Sequence, residues 1–520
     1  MEQRIIQSLL APSAYPEPTS NVHLVQTHVS FIFITDNFAY KIKKPVDFGF
    51  LNFTSLDRRR FYCTEEVRLN RRLCPDIYLG VVEVRETPEG GRIDGEGMVI
   101  DYAVKMKRLP EELMMEHLLQ TGRLYGDDIG RIARTIGEFH LAAERGEEID
   151  RYGSPAEIRR TWEENIQQVS RFVPDTITAR DLRIIADWGG EYLDRHDALF
   201  TERVSQGFIR DCDGDIHMGN ICLADRVWIF DCIEFNSRFR YTDTAADIAF
   251  LMMDLDFHGR SDLSELFLAE YVVTTGDREV AELLDYYRIY RAVVRGKVES
   301  LKLLDPQIAE DDRETAGSRA RRYLRLARGY AVRGRLPPSL IITSGLMGSG
   351  KSSIAAELSF ELGLKLFSSD RTRKELAHLP PDARDASGYG AGIYAASFTD
   401  RTYNMLLARA EEAIRAGRSV IVDATFRRKR DRARFRNAAE KLSVPFYLIN
   451  TVCPENITRH RLDERMKDPL RVSDGRSELY GQQSEEFEPV EADEERPIYV
   501  DTTLPVHANI EALLSAMGII

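Results

Sequence analysis

The chain has 520 residues, of which 43% are hydrophobic and 30% charged. This length exceeds that of one typical domain and the composition is ordinary for globular proteins, so a disulfide-stapled miniprotein and a low-complexity chain are excluded. The net charge of -13 argues against a protein that coats nucleic acid, because such binding needs a basic surface.

The cellular location can be judged from apolar runs and cysteines. No run approaches the roughly 18 apolar residues that a membrane span needs, and the apolar start of the chain is too short for a signal peptide. The six cysteines include no C-x-x-C pair, which favours buried reduced thiols over a disulfide framework. We therefore expect a cytoplasmic protein without a membrane partner.

Residues 20–110 have the pattern of strands interrupted by one helix. The predicted strands are 28–34, 38–43, 78–84 and 98–106, and the predicted helix is 55–73. Lys41 lies in the second strand, within an A-x-K pattern, and Glu66 lies on the apolar stripe of the helix. Because an inward-facing carboxylate must be paired, we predict an ion pair between Lys41 and Glu66, with Lys43 and Glu65 as alternative members.

Helical periodicity dominates the following part of the chain, up to about residue 335. The predicted helices are 111–145, 155–171, 178–200, 243–257, 262–273, 277–304 and 312–330. One strand-rich segment, 208–231, interrupts them. The first half is therefore predicted to be an α+β domain in which a small sheet lobe precedes a larger helical lobe.

The strand-rich segment contains a pattern that is typical of a kinase catalytic loop. Asp215 and Asn220 have the D-x-x-x-x-N spacing, in which the aspartate deprotonates an acceptor hydroxyl and the asparagine holds Mg²⁺. Asp231, at the end of the next apolar strand, is then predicted to be the metal-binding aspartate. An unrelated surface lysine and glutamate are the alternative explanation for Lys41 and Glu66.

Most of residues 20–300 resemble the aminoglycoside phosphotransferase and choline kinase families. The resemblance rests on loop residues 213–220, on Asp231 and on Asp247 in Ala-Asp-Ile-Ala. It implies a protein-kinase-like fold that binds ATP through Lys41 and Glu66.

Two departures from this family pattern matter. Asp213 stands where the family has a histidine. The turn 27–37 lacks glycine, so we expect side chains such as His28, Ser30 and Thr35 to cover the ATP phosphates. A pseudokinase that senses nucleotide without transferring phosphate is therefore a second hypothesis for this half.

The domain boundary is predicted between residues 335 and 336. The prolines at 337 and 338 cannot continue the preceding helix, and an apolar strand follows them at once. Beyond this point strands alternate with helices, which predicts an α/β domain with a parallel sheet and helices on both faces. The predicted strands are 340–343, 365–367, 419–422, 445–450 and 498–501, and the predicted helices are 351–362, 401–416, 430–442 and 455–466.

Residues 345–352 match G-x-x-x-x-G-K-[ST] between a strand and a helix, the context in which this motif cradles phosphate. Lys351 is expected at the β- and γ-phosphates and Ser352 at Mg²⁺. Asp423, which ends a buried strand, is expected to hold the same metal or its water. A chance glycine turn is the alternative. The predicted nucleotide ligands are Gly345, Gly348, Ser349, Gly350, Lys351, Ser352 and Ser353.

Two further groups are predicted to act on the transferred phosphate. Asp370 follows a strand, and Arg373 shares its face if a helix begins there, so the pair can accept a hydroxyl proton and hold an anion. The alternative is that Asp370 only caps the next helix. Arg461 and Arg465 belong to an arginine-rich stretch that suits a mobile lid, and we predict that they bind the nucleotide.

Residues 340–500 resemble the zeta-toxin, polynucleotide-kinase and chloramphenicol-phosphotransferase group of small P-loop kinases, and most closely the P-loop kinases grouped with AAA-type ATPases. The resemblance rests on the glycine loop and on the short motifs at 369–373, 390–394, 422–426 and 473–474. It implies that Asp370 is the general base and Arg373 a substrate or phosphate contact. Acceptors in this group range from RNA ends to nucleotide sugars and antibiotics.

A basic cluster at 427–436 places seven Lys and Arg side chains within ten residues. A contact with a polyanion such as RNA is one interpretation. A solvated or domain-facing start of a helix is the other, and the segment offers few aromatic residues on which bases could stack.

The fused arrangement resembles bacterial bifunctional proteins that join an aminoglycoside phosphotransferase-like domain, here 1–335, to a P-loop ATP-binding domain, here 336–520. We predict two ATP- and Mg²⁺-dependent phosphotransferases that act on hydroxyl acceptors, by default small molecules. RNA or nucleotides are alternative acceptors for the second half. Two other hypotheses stay open: an N-terminal nucleotide sensor that regulates a C-terminal kinase, and a P-loop ATPase within an interaction protein.

Overall fold

The computed structural model describes residues 3–49, 51–305, 308–380, 392–466, 477–491, 494 and 497–520, with the backbone only for residues 465, 466 and 477. It divides into two compact units, Met1–Tyr323 and Leu324–Ile520. No helix within these ranges combines the length and apolar character needed to cross a bilayer.

A six-stranded antiparallel sheet, in the order β1-β2-β3-β6-β4-β5, forms the small lobe of the first unit. Its strands are β1 His23–Gln26, β2 Ser30–Ile34, β3 Phe38–Lys43, β4 Tyr78–Thr87, β5 Gly90–Ile93 and β6 Met98–Lys107. Lys41 pairs with Ile32 on β2 and with Val104 on β6, so it lies in the middle of the sheet. Phe33, Tyr40 and Ile42 belong to the apolar core of this lobe.

One helix of the small lobe, α2 (Leu56–Asn70), packs against β4 and β6. It begins after Ser55, whose side chain accepts the N–H of Arg58 at 3.3 Å. Cys63, Glu66 and Val67 lie on its buried face. The apolar stripe that predicted an inward-facing Glu66 is therefore confirmed.

Helices make up most of the rest of the first unit. They are α1 Gln3–Ser8, α3 Met115–Gln120, α4 Gly126–Ala142, α5 Glu147–Asp150, α6 Pro155–Val169, α7 Ala179–Arg195, α8 Asp197–Gln206, α9 Thr244–Phe257, α10 Ser261–Thr275, α11 Val280–Leu301 and the first part of α12 Glu310–Arg333. Every residue of α9 except Asp256 is buried, which makes this helix the centre of the lobe.

Four short strands lie between α8 and α9, as two antiparallel pairs. They are β7 Ile209–Asp211 with β10 Tyr241–Asp243, and β8 Ile221–Leu223 with β9 Val227–Ile229. The first unit is thus α+β with a small sheet lobe and a larger helical lobe, as predicted.

Several predicted boundaries in the first unit were wrong for local reasons. The strand expected at 28–34 begins at Ser30, because the Thr27 side chain accepts the N–H groups of Val29 and Ser30 and forms a turn. The helix expected at 111–145 is divided into α3 and α4 near Gly122, whose φ of 68° is left-handed. The helix expected at 178–200 is interrupted at His196.

The second unit contains a five-stranded parallel sheet in the order β12-β13-β11-β14-β15. Its strands are β11 Leu340–Ser344, β12 Lys365–Ser368, β13 Val420–Asp423, β14 Phe446–Val452 and β15 Ile498–Asp501. Its helices are α13 Lys351–Leu362, α14 Ser369–Leu376, α15 Ala396–Arg415, α16 Lys429–Lys441, α17 Glu455–Met466, α18 Tyr480–Glu485 and α19 Val506–Ala516. The predicted α/β class with a parallel sheet is confirmed.

The break between the two units lies inside α12, upstream of the boundary expected after residue 335. Arg328 is buried and pairs with Glu361 and Glu511. A Cβ on Gly329 would lie 1.6 Å from the carbonyl oxygen of Glu361, so only glycine lets α12 approach α13 this closely. The last turns of α12 therefore pack with the second unit.

The cysteines carry free thiols in the structure. Five are buried: Cys63, Cys74, Cys212, Cys222 and Cys232.

Candidate active sites

Lys41 lies at the centre of a buried ionic cluster in the first unit. Its Nζ is 2.9 Å from Oε1 of Glu66 and also contacts Asp231. Lys43 donates to Oε2 of Glu66 at 2.6 Å and pairs with Glu234. Both candidate lysines therefore bind Glu66. The alternative glutamate, Glu65, instead pairs with Arg68 on the surface.

The electrostatics of this cluster favour its charged form. Burial opposes ionisation of Glu66, but the ammonium groups of Lys41 and Lys43 outweigh it and lower the pKa of that carboxyl. Burial also opposes the charge on Lys41, yet Asp231 and Glu66 raise its pKa well above the ordinary value. Glu66, Asp231 and the two ammonium groups thus favour one another's charged forms, whereas burial raises the pKa of the Glu234 carboxyl.

The Asp215 and Asn220 side chains are held together in the loop between β7 and β8. Asn220 Nδ2 donates to the carbonyl oxygen of Asp215 at 3.2 Å and to its carboxylate Oδ2 at 3.3 Å. Phe230 donates its N–H to the Asn220 carbonyl, which brings the loop beside Asp231. Asp231 has a left-handed φ of 67°, a conformation that non-glycine residues adopt mainly where the surroundings enforce it.

Two aspartates of α9 anchor the backbone of this loop. Asp247 accepts the N–H groups of Asp213 and Gly214 at 3.0 and 2.9 Å, and Asp254 accepts that of Met218 at 3.0 Å. The acceptors lie on one face of the helix, two turns apart. They fix the loop on both sides of Asp215. Sequence reasoning identified Asp247 but missed Asp254, because an aspartate in an apolar helix carries no motif of its own.

Asp213, which stands where the kinase families that this half resembles have a histidine, fits this anchored loop. Its Oδ1 accepts the N–H of Asp215 at 3.1 Å. Burial and the neighbouring Asp247 raise the pKa of the Asp213 carboxyl well above its ordinary value. The folded chain thus favours the protonated form of this carboxyl group more than water does.

His140, Cys212 and Asp247 offer potential metal ligands within 4.8 Å of one another. Asp247 already binds two backbone N–H groups and lies 3.2 Å from Nε2 of His140, whose Nδ1 is 2.8 Å from the Tyr271 hydroxyl. Burial raises the pKa of the Cys212 thiol well above its ordinary value, which opposes a metal-binding thiolate. This group supports the loop rather than forming a metal centre.

The turn between β1 and β2, at 27–29, occupies the place expected to cover the phosphates. His28 Nδ1 lies 3.6 Å from Asp305, and Ser30 is buried at the start of β2. Thr35 lies at the opposite end of β2, where its hydroxyl donates to the Phe38 carbonyl. The expectation that Thr35 joins the phosphate-covering turn was therefore wrong.

The glycine loop of the second unit connects β11 to α13. Gly345, Gly348 and Gly350 have φ values of 143°, 75° and 91°, which side-chain-bearing residues rarely adopt. Lys351 Nζ donates to the Leu346 carbonyl at 2.7 Å. The Ser349 hydroxyl of the loop lies 2.7 Å from the Thr451 hydroxyl, and this hydrogen bond supports the loop. Ser352 and Ser353 are exposed in the first turn of α13.

Asp423 lies beside the glycine-loop strand. The parallel register pairs Ile342 of β11 with Val422 of β13, and the Thr343 hydroxyl donates to Asp423 Oδ1 at 3.0 Å. Phe426, three residues on, has a left-handed φ of 41° and donates its N–H to the Tyr403 hydroxyl. The strand end and the loop thus converge as the sequence predicts.

Asp370 and Arg373 share one face of α14, as expected. Arg373 Nη1 lies 3.5 Å from Asp370 Oδ1, and its guanidinium carbon is 4.5 Å from the centre of the Tyr394 ring. The capping position of α14 belongs to Ser368. Asp370 lies inside the first turn, so the alternative that it only caps the helix is not supported.

Of the two arginines predicted to belong to a lid, the structure describes the side chain of Arg461 but not that of Arg465. Arg461 donates to the hydroxyl and carbonyl of Thr502 at 3.1 and 2.7 Å, and the Thr502 hydroxyl donates to the Ser349 carbonyl. Arg461 therefore supports the glycine loop indirectly, and its contact with nucleotide stays a prediction. The side chain of Arg465, the motif at 473–474 and the first two residues of the motif at 390–394 lie outside the described residues.

The basic cluster at 427–436 is mostly neutralised within the second unit. Arg432 is buried and forms two hydrogen bonds of 2.7 Å to Glu494. Arg427 lies 2.7 Å from Glu486, and Arg430 lies 3.1 Å from Asp400. This pattern favours the structural interpretation over a contact with RNA.

Comparison with known proteins gives matches for both units. A family model described as AAA domain matches residues 340–490, which confirms the resemblance of this region to AAA-type P-loop proteins. The chain is 30% identical to Uncharacterized protein Rv2004c from Mycobacterium tuberculosis over 404 residues, which cover 77% of this chain and 78% of that protein.

Two solved structures are similar to parts of the chain. A choline/ethanolamine kinase family protein from Mesorhizobium loti covers 62% of this chain and 98% of its own, with 12% identity and a TM-score of 0.36. A gluconokinase from Sinorhizobium meliloti covers 35% of this chain and 92% of its own, with 18% identity and a TM-score of 0.27.

Proposed function

The chain belongs to the same family as the mycobacterial protein Rv2004c, and we propose that it is an ATP- and Mg²⁺-dependent phosphotransferase with one active site in each unit. Each site transfers a γ-phosphoryl group to a hydroxyl acceptor. The observation that carries this proposal is the convergence of Lys41, Glu66 and Asp231, from three separate segments, on one ionic cluster. The hydrogen-bonded Asp215 and Asn220 adjoin it.

The residues of both sites fit the cofactor that this chemistry needs. Mg²⁺ takes oxygen ligands. Asn220 uses its Nδ2 for Asp215, which leaves its Oδ1 as a ligand beside the carboxylate of Asp231. In the second unit, the Ser352 hydroxyl and the Asp423 carboxylate would hold the ion. When bound, Mg²⁺ would offset the charge of the phosphate oxygens.

In the N-terminal site, each residue has a defined task. Asp215 accepts the proton of the acceptor hydroxyl at its carboxylate, and Asn220 holds that carboxylate in place. Lys41 binds phosphate oxygens, while Glu66 fixes the position of the lysine. The loop needs little rearrangement because α9 already anchors its backbone.

In the C-terminal site, backbone N–H groups of the glycine loop and Lys351 bind the phosphate chain. Asp370 accepts the proton of a second acceptor hydroxyl, and Arg373 neutralises charge on the transferred group. The neutralised basic cluster supports a small-molecule acceptor for this site rather than RNA. The cytoplasmic location stays a prediction from composition and cysteine spacing.

The test is phosphoryl transfer from γ-labelled ATP to pools of metabolites, aminoglycosides and RNA. Asp215→Ala should remove one set of labelled products and Lys351→Ala another. The exposed Asp225 and Lys441 provide matched controls, since Asp225→Ala and Lys441→Ala should remove neither set. ATP hydrolysis without any labelled product would instead support an ATPase that drives conformational change.

A nucleotide sensor is the second candidate function for the N-terminal unit. It is favoured by Asp213, which stands where the aminoglycoside phosphotransferase and choline kinase families have a histidine, and by the direct contact of Lys41 with Asp231. In that case Asp215→Ala would leave every labelled product in place while Lys351→Ala removed them all.

A further inference from the structure

A glutamine from a separate helix reaches the glycine loop of the second unit. Gln483, on α18, accepts the backbone N–H of Met347 through Oε1 at 2.6 Å. Gln483 is buried, with only 7% of its surface exposed. Sequence reasoning gave it no role, because the two residues are 136 positions apart and no motif connects them.

The chemistry of this contact fixes the orientation of the carboxamide. Because the Met347 N–H is a donor, the oxygen of the glutamine must face it, and the nitrogen must point elsewhere. Nε2 is bonded to the same carbon as Oε1, so its two N–H groups also lie close to the glycine loop. Among the residues that the structure describes, none forms a hydrogen bond with Nε2. The loop thus gains two donors that no motif predicts.

The segment that carries Gln483 is held on both sides. Tyr480, one turn earlier in α18, has the Arg459 guanidinium 5.0 Å from its ring centre. Glu486, directly after the helix, pairs with Arg427 at 2.7 Å, and the Glu488 N–H donates to the Arg427 carbonyl at 2.9 Å. These anchors place the glutamine in a fixed position rather than on a free surface.

The position of Met347 within the loop indicates which phosphate group Gln483 would meet. Residues 348–352 lead into the N-terminus of α13, where the helix dipole and consecutive N–H groups bind the inner phosphates. Met347 lies earlier in the loop, away from that helix end. A donor beside Met347 would therefore meet the part of a bound phosphate chain that lies farthest from α13.

We propose that Gln483 is a phosphate-binding residue of the C-terminal site: its Oε1 is fixed by the Met347 N–H, and its Nε2 donates to the terminal phosphoryl group of a nucleoside triphosphate. This inference rests on the proposed nucleotide-binding function of the second unit. It also implies that the site prefers a nucleoside triphosphate to a diphosphate, because a diphosphate lacks the phosphoryl group that Nε2 would bind.

The substitution Gln483→Glu tests this role with little change in shape. A glutamate keeps an oxygen that accepts the Met347 N–H, but it has no N–H donor and carries a negative charge beside the phosphate. Gln482→Glu is the matched control, because it makes the same chemical change at the adjacent, exposed position of α18. Both variants are made in the full-length chain.

The measurement is the affinity for a non-hydrolysable ATP analogue and for ADP, taken at the site that Lys351→Ala abolishes. We expect Gln483→Glu to weaken binding of the analogue by at least about tenfold, a change of about 1.4 kcal/mol, and to change ADP binding by less than about threefold. Gln482→Glu should bind both ligands like the wild type. Gln483→Ala, which loses the clamp as well as the donor, should weaken binding of the analogue at least as much as Gln483→Glu does.

Other results would overturn the proposal. Wild-type affinities for both ligands in Gln483→Glu would show that Oε1 only clamps the loop. An equal loss for the analogue and ADP, with an unchanged melting temperature, would show a general effect on the loop. If the wild-type chain has no ATP binding that depends on Lys351, the proposed function itself fails, and this result is distinct from the two above.

Discussion

The Nζ of Lys41 lies 2.9 Å from Oε1 of Glu66, and Glu66 is fully buried. Together with Lys43, Asp231 and Glu234 they form a cluster of two lysines and three carboxyl groups. Asp231 is the most exposed of these carboxyl groups, which suits it to receive a divalent cation. The cluster also connects the sheet lobe to the segment that follows the loop of Asp215 and Asn220.

Substitution of Glu66 should damage both stability and activity. Glu66→Gln leaves Lys41 and Lys43 buried with one anionic partner fewer, so we expect a loss of about 3–5 kcal/mol in the free energy of unfolding. Transfer at the N-terminal site should fall with it, while the C-terminal products persist. Urea unfolding and the labelled-ATP assay measure the two effects.

Glu65→Gln is the control for this substitution. Glu65 neighbours Glu66 on α2 but pairs with Arg68 at the surface, so its loss should cost at most about 1 kcal/mol. If both variants unfold alike and keep the N-terminal activity, Glu66 does not orient a phosphate-binding lysine.

Removal of the Asp254 carboxylate should slow the N-terminal reaction, although this residue is not proposed to contact any substrate. Asp254→Ala leaves the Met218 N–H without its acceptor, which loosens the loop that carries Asp215. We expect kcat to fall by about 10–100-fold, with a smaller change in the KM for ATP. Asp256→Ala, on the same helix but paired with Arg288, should leave kcat unchanged. Equal kcat values in the two variants would contradict the anchoring role.

The stability of the first unit should depend on pH through Asp213. Folding raises the pKa of this carboxyl, so the native chain holds a proton that the unfolded chain releases. Above the ordinary value of 3.8 and up to the raised native pKa, stability therefore falls as the pH rises, by at most about 1.4 kcal/mol per pH unit.

Asp213→Asn isolates this dependence. The asparagine keeps an oxygen for the Asp215 N–H but cannot ionise. The difference in unfolding free energy between the variant and the wild type should shift in favour of the variant as the pH rises and then level off above the native pKa. Urea unfolding of both chains at several pH values between about 5 and about 9 measures this difference. A constant difference over this range would refute the argument.

In the second unit, Asp370→Asn should abolish transfer but preserve nucleotide binding, because the amide cannot accept the acceptor's proton. Glu375→Gln, on the same helix, only breaks an exposed pair with Arg409 and should remain active. Product formation and ATP-analogue affinity are measured together for both. Full transfer activity in Asp370→Asn would remove Asp370 from the catalytic role.

The sequence predicted what depends on local pattern and on motif spacing. The glycine loop is local, since its φ values and the following helix are encoded within eight residues. The pairing of Lys41 with Glu66 followed from one physical rule, that a carboxylate on an apolar stripe needs a partner. The pattern of apolar residues predicted all five strands of the second sheet but only four of the six strands of the first, since β1 and β5 were not expected.

The sequence did not predict contacts that depend on tertiary structure. Asp254 and Gln483 act on backbone N–H groups that lie far away along the chain, and such contacts follow no spacing rule. Thr35 lies outside the turn expected to cover the phosphates, because the Thr27 hydroxyl accepts the N–H of Ser30 and closes that turn before β2 begins. The boundary between the units does not lie at Pro337, because Gly329 lets the end of α12 pack against α13.

The most direct test of two nucleotide sites is the stoichiometry of binding. Calorimetric titration of the full-length chain with a non-hydrolysable ATP analogue and Mg²⁺ should give two molecules per chain, with one molecule remaining in Lys351→Ala and one in Lys41→Met. A single bound molecule in the wild type, lost entirely in Lys351→Ala and unchanged in Lys41→Met, would contradict the account.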